Sequence, residues 1–340
     1  MRGVAEGLFR REEEEMTANE STITANAAEL QMLDEFNPAG WVKVVAPAKV
    51  NLHLGIGTRR PDGYHDAVSV LHALNLHDVL YVRREAAAPD TGLAVEVQML
   101  GRGEIEVPDV PVESNIATKA VRALAEAIGC AEDEVIRLRI EKNIPAQAGL
   151  GGGSSDAAAA LVGVSRLWGL PDGAEVIERV ARTLGSDVAF FLRGGCAYYE
   201  GTGEVFSHDL APMKKSVVLV KPDWGVSTAA AYAAFDEQPV EVGADVAAAI
   251  AAAETAEDVV LFNNLAGASE RIEPQLAEIR EWLADQKGVQ GVLLCGSGST
   301  TFGVCDDFAT ACQVVADARR QGLWARATAF GPLRAVVVGA

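Results

Sequence analysis

One segment of this chain is dominated by glycine: Pro145-Ala-Gln-Ala-Gly149-Leu150-Gly151-Gly152-Gly153-Ser154-Ser155-Asp156, which continues into alanines. Glycine allows positive φ and lets main-chain N–H groups face one point without side chains in the way. The alanines predict a helix up to about Trp168, and the first N–H groups of a helix are unpaired and partly positive. The segment therefore predicts an anion cradle: Gly149–Ser155 binds nucleotide phosphates, and the hydroxyls of Ser154 and Ser155 are available for phosphate or Mg²⁺.

Two common phosphate-binding motifs do not fit this segment. A P-loop carries Lys before its Ser or Thr, and no Lys stands there. A dinucleotide fingerprint has Gly at its sixth place, which is Ser154 when the count starts at Gly149. The remaining alternative is a flexible turn whose Ser or Asp only caps the helix. Capping needs a single such residue, so it does not account for four glycines in five positions.

The composition indicates a globular, cytoplasmic protein. Hydrophobic residues make up 49% of the 340 residues and charged residues 23%, with a formal net charge of −19. So negative a chain is a poor partner for nucleic acid or anionic membranes. The five cysteines are odd in number and form no CxxC pair, which predicts reduced, buried thiols without a disulfide framework or zinc site.

The order of the expected elements indicates an α+β fold with two domains and a cleft between them. Residues 1–40 are polar and without periodicity, which predicts a disordered extension. An N-terminal domain is expected at 41–211 and a C-terminal domain at 212–340. Strands are expected within 42–54 with a bend at Pro47, and at 93–97, 136–140, 217–220, 292–295, 301–305 and 334–338. Helices are expected at 116–128 with Ser114 or Asn115 as the cap, after the glycine segment, within 227–260 and at 308–320.

Two further segments carry a family resemblance. Pro47-Ala-Lys49-Val-Asn51-Leu precedes the glycine segment, and Gly296-Ser297-Gly298-Ser299-Thr300 follows it. The three segments, in this order, resemble the three motifs of the GHMP kinases, the superfamily of galactokinase, homoserine kinase and mevalonate kinase. The resemblance implies a two-domain kinase with the active site in the interdomain cleft, ATP as phosphoryl donor, Mg²⁺ as cofactor and a monomer or homodimer.

The residues that follow the first motif narrow the resemblance to one group within the GHMP kinases. It continues from Pro47 to Asp62-Gly63-Tyr64-His65, and Asn263-Asn264-Leu265 precedes the third motif. Both features resemble the GHMP kinases of non-mevalonate isoprenoid synthesis. The resemblance implies phosphorylation of the 2-hydroxyl of 4-diphosphocytidyl-2-C-methyl-D-erythritol, giving the 2-phosphate and ADP.

The chain departs from the family pattern in three places. Gly185-Ser186-Asp187-Val188-Ala189 stands where Gly-Ala-Asp-Val-Pro is usual. Ser299 replaces Pro or Gly, and Gln147 replaces a small residue. None of these changes removes a reacting group, and the last two are expected to affect nucleotide affinity or loop rigidity.

Asp187 and Lys49 are the candidate catalytic residues. Asp187 is the one acid in the apolar run Leu184–Leu192, which suits a general base for the acceptor hydroxyl. The pattern alone would equally suit a helix N-cap or a structural salt bridge, and the resemblance favours the base. Lys49 lies in a mostly apolar run, where it could keep Asp187 ionised and polarise the hydroxyl; the alternative is an exposed lysine on an edge strand.

The acceptor site is expected around the Asp62-Gly63 turn, which predicts Tyr64 and His65 at a loop tip. The resemblance implies that Tyr64 stacks on cytosine, that His65 bonds its polar edge, and that Asn51 contacts the methylerythritol. Tyr232, with Phe235, is expected as a second aromatic wall. His72 and His77 are expected to be ordinary surface histidines.

Two other functions stay open on sequence alone. A GHMP kinase for another alcohol, of the homoserine or mevalonate type, would share the three motifs but has no need of the Gly63-Tyr64-His65 segment. A non-catalytic nucleotide sensor on the same fold could lose the catalytic Lys or Asp, and this chain keeps both.

Overall fold

The structure, a computed structural model, describes residues 36–130 and 133–339. The described strands are β1 (Val42–Arg59), β2 (His65–Ala86), β3 (Leu93–Gly101), β4 (Glu134–Lys142), β5 (Cys196–Glu200), β6 (Val205–Leu210), β7 (Ser216–Lys221), β8 (Phe262–Asn263), β9 (Val289–Leu294), β10 (Thr301–Cys305), β11 (Trp324–Ala329) and β12 (Val336–Val337). The described α-helices are α1 (Ile116–Ile128), α2 (Gly152–Leu167), α3 (Glu175–Leu184), α4 (Ser186–Arg193), α5 (Thr228–Glu237), α6 (Ala244–Ala251), α7 (Ala266–Ile272), α8 (Gln275–Ala284) and α9 (Phe308–Arg319). The expected mixture of helices and strands is confirmed.

The first sheet is built on a long hairpin of β1 and β2. Its strand order is β12-β1-β2-β4-β3, with β5 and β6 continuing from β2 and β8 running parallel to β1. The register between β1 and β2 shifts between Pro47 and Lys49. The predicted bend is therefore a bulge within one strand, because Pro47 cannot donate a ladder hydrogen bond.

Helices α1 to α4 share one hydrophobic core with the first sheet. The predicted cap of α1 is Asn115, whose side chain accepts a hydrogen bond from Ala117 N. Helix α2 presents the four alanines Ala157–Ala160, all fully buried, to its neighbours. Side chains this small let the helix that follows the glycine segment pack tightly against the sheet and α1.

The second sheet has the order β11-β7-β10-β9, with every pairing antiparallel. Helices α8 and α9 pack on it. The predicted strand pair around the third motif is confirmed as β9 and β10. The helical stretch expected within 227–260 is instead two short helices, α5 and α6, because Pro239 and Gly243 interrupt the segment between them.

Each half of the chain contributes a segment that packs with the other half. The outer end of the β1–β2 hairpin packs with α5 and α7 through Ile56, Phe235 and Ala268. Strand β12 returns to the first sheet, where Val337 pairs with Val44. The boundary expected between residues 211 and 212 remains a prediction.

Residues 1–35 of the expected extension lie outside the described residues. Phe36 lies inside them and is packed: its ring centroid is 4.7 Å from that of Tyr81, and the Arg139 guanidinium carbon lies 4.2 Å above it. The N-terminal domain was expected to start at Trp41. The packing of Phe36 shows that ordered contacts begin earlier in the chain. Among residues 36–130 and 133–339, no helix combines the length and apolar character that a membrane crossing requires.

Two expectations about single side chains were wrong. His72 is fully buried rather than at the surface: Nδ1 donates to Ala73 O at 2.9 Å, and Nε2 accepts from Met213 N at 3.0 Å. All five cysteines are free thiols, as expected, but Cys312 is exposed and Cys130 half-buried.

Candidate active site

The glycine segment forms a turn that ends in α2, as predicted. Gly151 has φ 72° and precedes the first helical residue, Gly152. Ser154 therefore lies in the first turn of the helix, where main-chain N–H groups lack helical acceptors, whereas Ser155 N already donates to Gly151 O at 2.9 Å. Ser154 is half-buried and Ser155 fully buried.

Two positions in this turn require glycine because neighbouring segments approach the main chain too closely for a side chain. A Cβ on Gly149 would stand 2.1 Å from Cys295 O, and one on Gly151 would stand 2.8 Å from Phe191 Cζ. Both residues also have positive φ. The glycine turn is thus pressed against the third motif on one side and against α4 on the other, as only glycine allows.

Main-chain hydrogen bonds join the three motifs. Lys49 N in the first motif donates to Leu150 O at 3.0 Å. Thr300 N in the third motif donates to Ala148 O at 3.3 Å. The bulge of β1, the glycine turn and the β9–β10 loop therefore form one connected main-chain unit.

This unit borders a cavity of about 270 Å³. Nine of the predicted site or motif residues line it, namely Lys49, Asn51, Gly149, Gly151, Ser186, Asp187, Tyr232, Gly296 and Ser297. The other lining residues are Leu54, Ala67, Ser69, Leu71, Thr202, Gly203, Thr228 and Leu265. Leu150, Gly152, Gly153, Ser154, Ser155 and Gly298 belong to the same two loops but do not line it.

Lys49 and Asp187 meet across this cavity. Lys49 Nζ lies 3.4 Å from Asp187 Oδ2 and donates to Asn51 Oδ1 at 2.8 Å. Asn51 Nδ2 in turn donates to Ser69 Oγ at 2.8 Å. The Lys49 side chain is 6% exposed, whereas the Asp187 side chain is 32% exposed. The hydrogen bond to Asn51 thus fixes the Lys49 ammonium, while the Asp187 carboxylate stays open to the cavity.

Asp187 holds its position because it is the second residue of α4. Its side chain is not the N-cap of that helix, where Gly185 stands without a capping hydrogen bond. Of the two structural alternatives, the cap is therefore ruled out and the ion pair is present. The positive end of the helix also favours a negative charge at this position.

The turn at residues 60–64 places its two aromatic residues differently. Tyr64 is 66% exposed, but His65 is 8% exposed and begins β2, so His65 is not at a loop tip as expected. His65 Nε2 lies 2.7 Å from Asp236 Oδ1. Its ring centroid is 5.2 Å from that of Tyr232, which lines the cavity. Neither Tyr64 nor His65 lines the cavity itself.

The Asn263-Asn264 pair supports the site from the C-terminal half. Asn263 Nδ2 donates to Gly296 O at 2.7 Å and holds the start of the third motif. Asn264 accepts from Ile56 N and donates to Ile56 O, each at 2.8 Å. One asparagine thus fixes the third motif, and the other fixes the end of β1 beyond the first motif.

Family models match both halves of the chain. The model of the GHMP kinases N terminal domain matches residues 115–195, and that of the GHMP kinases C terminal matches residues 246–322. The 4-diphosphocytidyl-2-C-methyl-D-erythritol kinase of Desulfitobacterium hafniense (strain Y51) is 39% identical over 267 residues, covering 77% of this chain and 87% of the relative. The chain belongs to this kinase family.

Solved structures agree with that assignment. A crystal structure of 4-(cytidine 5'-diphospho)-2C-methyl-D-erythritol kinase has a TM-score of 0.69 and 34% identity, covering 85% of this chain and 99% of that chain. Homoserine kinase from Cytophaga hutchinsonii ATCC 33406 has a TM-score of 0.65 at 17% identity, covering 88% and 98%, which indicates a common fold alone. The resemblance to GHMP kinases and the enzyme class, an ATP-dependent kinase, are thereby confirmed.

The described residues contain no group of three or more His, Cys, Asp or Glu side chains that could hold a metal ion. A kinase needs no such group, because Mg²⁺ takes most of its ligands from phosphates and water. Ser155 Oγ is buried and has no hydrogen-bond partner within residues 36–130 and 133–339. The half-buried Ser154 is the more accessible of the two hydroxyls at the start of α2.

Several polar residues of this kinase's cavity were not predicted. Ser69 comes from β2, Thr202 from the β5–β6 turn, and Thr228 from the start of α5, where its Oγ1 lies 3.0 Å from Ser297 Oγ. Each is a single hydroxyl outside any motif. Ser69 could have been found only from strand pairing. It lies beside the first motif on the adjacent strand of the β1–β2 hairpin, and the register of that hairpin is not visible in the sequence.

Two of the departures from the family pattern lie in contact with each other. Ser299 N donates to Gln147 O at 3.3 Å, and Ser299 Oγ donates to Trp224 O at 2.7 Å. Gln147 has φ 51°, in the left-handed backbone region that residues other than glycine rarely adopt. The changes at these two positions therefore affect a single junction, between the glycine turn and the third motif.

Proposed function

We propose that the protein transfers the γ-phosphoryl group of ATP to the 2-hydroxyl of 4-diphosphocytidyl-2-C-methyl-D-erythritol, in the cleft between its two domains. The products are the 2-phosphate and ADP, in non-mevalonate isoprenoid precursor synthesis. The observation that carries the proposal is the meeting of Lys49 and Asp187 with both glycine loops around one cavity. The relatives described above, which are kinases of 4-diphosphocytidyl-2-C-methyl-D-erythritol, support the identity of the acceptor.

In the proposed reaction, Asp187 is the proton acceptor. The acceptor hydroxyl gives its proton to the Asp187 carboxylate as its oxygen bonds the γ-phosphorus, and the bond from that phosphorus to the β–γ bridging oxygen breaks to leave ADP. Phosphoryl transfer depends mainly on positioning and charge stabilisation. Lys49 supplies charge: one of its N–H groups is donated to Asn51, and its ammonium, 3.4 Å from Asp187 Oδ2, is proposed to donate another to the reacting oxygen.

The phosphates are proposed to lie on the main chain of Gly149–Ser155 at the start of α2. The N–H groups of Gly152, Gly153 and Ser154 lack helical acceptors, and the helix end is partly positive. Mg²⁺ bound with ATP would neutralise part of the phosphate charge, and Ser154 is the proposed protein ligand. The third-motif loop, Gly296, Ser297 and Gly298, is proposed to close the opposite side.

For the cytidine, the pair of His65 and Asp236 gives a physical basis for base selection. Because a carboxylate only accepts, His65 Nε2 carries a proton toward Asp236 Oδ1, and Nδ1 of the neutral ring is then an acceptor. An acceptor suits the amino group of cytosine and not the carbonyl that uracil has there. Tyr232 and the exposed Tyr64 are proposed to stack on the base, and Asn51 to contact the methylerythritol.

The test is ADP release with candidate alcohols, combined with phosphorus NMR of the product. We expect release with 4-diphosphocytidyl-2-C-methyl-D-erythritol and a new phosphate monoester on its 2-oxygen. Homoserine and mevalonate should give none, and CDP should compete with the acceptor much better than UDP. Turnover of homoserine or mevalonate would support the alternative acceptors, and ATP binding without ADP release with any acceptor would support a sensor.

A further inference from the structure

A buried charge cluster lies beneath the glycine segment, outside the cavity. Lys142, the last residue of β4, donates from Nζ to Asp78 Oδ2 on β2 and to Asp156 Oδ2 on α2, the latter at 2.5 Å. The exposed fractions of these residues are 0% for Asp78, 8% for Lys142 and 5% for Asp156. We name Asp78, Lys142 and Asp156 the clamp.

The clamp holds both ends of the phosphate-binding segment. Asp78 Oδ1 accepts from Asn143 N at 2.5 Å and from Ile144 N at 2.8 Å, where the chain leaves β4. Asp156 follows the last serine of the segment and lies in the second turn of α2. Lys142 connects the two carboxylates, so the entry and the exit of the segment are held by one ammonium group.

The clamp also lies directly under the predicted phosphate site. Lys142 Nζ is 3.5 Å from the point where a Cβ on Gly152 would stand. Its charge is nevertheless offset by two carboxylates, so phosphate binding is not its evident task. A displacement of Asp156 would move the start of α2, and with it the N–H groups that face the phosphates.

A stability role alone does not explain such a cluster. Burying two carboxylates with one ammonium is costly, and well-packed apolar residues are often at least as stable. Asp156 Oδ1 has no hydrogen-bond partner among the described residues. Burial raises the pKa of the Asp156 carboxyl, against the opposing effect of Lys142. The cost is understandable if the charges fix the position of the loop.

We propose that Asp78, Lys142 and Asp156 are positioning residues for ATP, which set the geometry of the Gly149–Ser155 main chain without touching the nucleotide. The inference rests on the proposed function, in that it assumes phosphates on this loop. A shift of about 1 Å in a positioned group can cost a factor of roughly 100. The clamp should therefore act on ATP affinity far more than on acceptor affinity.

The experiment compares Asp156→Ala, Asp156→Asn and the control Ser165→Ala. Ser165 is equally buried on the same helix, and in the described part of the chain its hydroxyl bonds Leu161 O alone, within the helix. For Asp156→Ala we expect the Kd and KM for ATP to rise about 10- to 100-fold, with the acceptor KM within about twofold of wild type. Asp156→Asn, which keeps an acceptor for Lys142, should recover most of the ATP affinity, and Ser165→Ala should not change it.

The outcomes separate the clamp from a purely structural role. Equal losses in kcat and in both KM values, or an unchanged ATP Kd in folded Asp156→Ala, would overturn the proposal. If Asp156→Ala does not fold, Asp78→Asn gives the same readout: its single oxygen remains the acceptor for Asn143 N and Ile144 N, so a donor NH2 group faces Lys142 and, unlike in Asp156→Asn, the acceptor for Lys142 is lost. Direct ATP titration also separates the two proposals: a wild type that binds ATP but fails to phosphorylate the acceptor refutes the function and leaves the clamp testable.

Discussion

Asp187 combines the two properties that a proton acceptor in this reaction needs. Its carboxylate faces the cavity, and Lys49 Nζ lies 3.4 Å from Asp187 Oδ2. We expect Asp187→Asn to lower kcat on the order of 10²- to 10⁴-fold, because the amide cannot take the proton. ATP and acceptor binding should persist, since the shape is kept. Single-turnover kinetics with ATP titration measures both, and near-normal turnover would assign Asp187 to charge balance alone.

The glycines of the phosphate turn are not equivalent. A Cβ on Gly149 would meet Cys295 O at 2.1 Å, whereas one on Gly153 would meet only Ile116 Cγ2 at 3.7 Å. We expect Gly149→Ala to raise the ATP KM strongly, since the turn must move away from the third motif. Gly153→Ala, on the exposed side of α2, is the matched control and should stay within about threefold of wild type, since alanine favours the helix. Equal effects would show that the clash is relieved elsewhere.

Residues within the motifs could be predicted because each motif concentrates its signal in a few adjacent positions. Lys49, Asn51 and Asp187 all line the cavity. The clamp could not be predicted, because Asp78 lies in an ordinary-looking strand sequence and acquires its role only from a contact with Lys142. Contacts between residues this far apart in sequence carry no local pattern.

At the scale of elements, helix α5 connects the residues proposed to recognise the acceptor to the cavity. Tyr232 and Asp236 are four residues apart, so both lie on one face of the helix. This face contacts His65, through the ring of Tyr232 and the carboxylate of Asp236. The orientation of α5 therefore decides both the aromatic wall and the tautomer of His65.

Removing the Asp236 carboxylate tests this arrangement. We expect Asp236→Ala to raise the KM for the cytidine-bearing acceptor by roughly 10-fold, since a hydrogen bond to a charged group contributes about 1.5–3 kcal/mol. The ATP KM should not change, and discrimination against a uridine-bearing analogue should fall. Glu237→Ala, at the exposed neighbouring position, is the control. Unchanged base discrimination in Asp236→Ala would separate His65 from cytosine recognition.

Short elements with a regular pattern were predicted well, and the longest strand was not. Strand β3 and helix α1 matched their periodicity. Strand β2 extends over 22 residues and pairs along its length with β1, β4 and β5. The side chains that are buried change from one partner strand to the next. Buried and exposed residues therefore do not alternate regularly along β2, and its sequence does not reveal its length.

At the scale of the molecule, His72 couples the fold to pH. It lies on β2 and accepts a hydrogen bond from Met213 in the segment that leads to the second sheet. Its other nitrogen donates to Ala73 O, so the two bonds exist together only in the neutral ring, and protonation of Nε2 removes the bond from Met213 N. Burial lowers the pKa of His72 to about 4 from 6.5.

Because the folded state disfavours the charged ring, the contribution of His72 to stability is complete above pH 6.5 and is lost as the pH falls toward 4. The loss is on the order of 3 kcal/mol. We expect the free energy of unfolding to fall less steeply between pH 6.5 and 4.5 in His72→Gln than in wild type. His77→Gln, at a half-buried histidine that bonds the main chain locally, is the control, and denaturant melts at several pH values are the measurement. Parallel wild-type and His72→Gln profiles would contradict the prediction.

The pairing of β12 with β1 also has a consequence for synthesis on the ribosome. Val44 and Val45 pair with Val337 and Val336, which are translated about 290 residues later. At about 5–20 residues per second, this edge of β1 waits roughly 15–60 seconds for its partner. During that time the nascent chain presents open backbone groups beside apolar side chains, a surface prone to pairing with other chains. Chaperone demand and aggregation during rapid overexpression should therefore depend on this short strand, far in sequence from the catalytic residues.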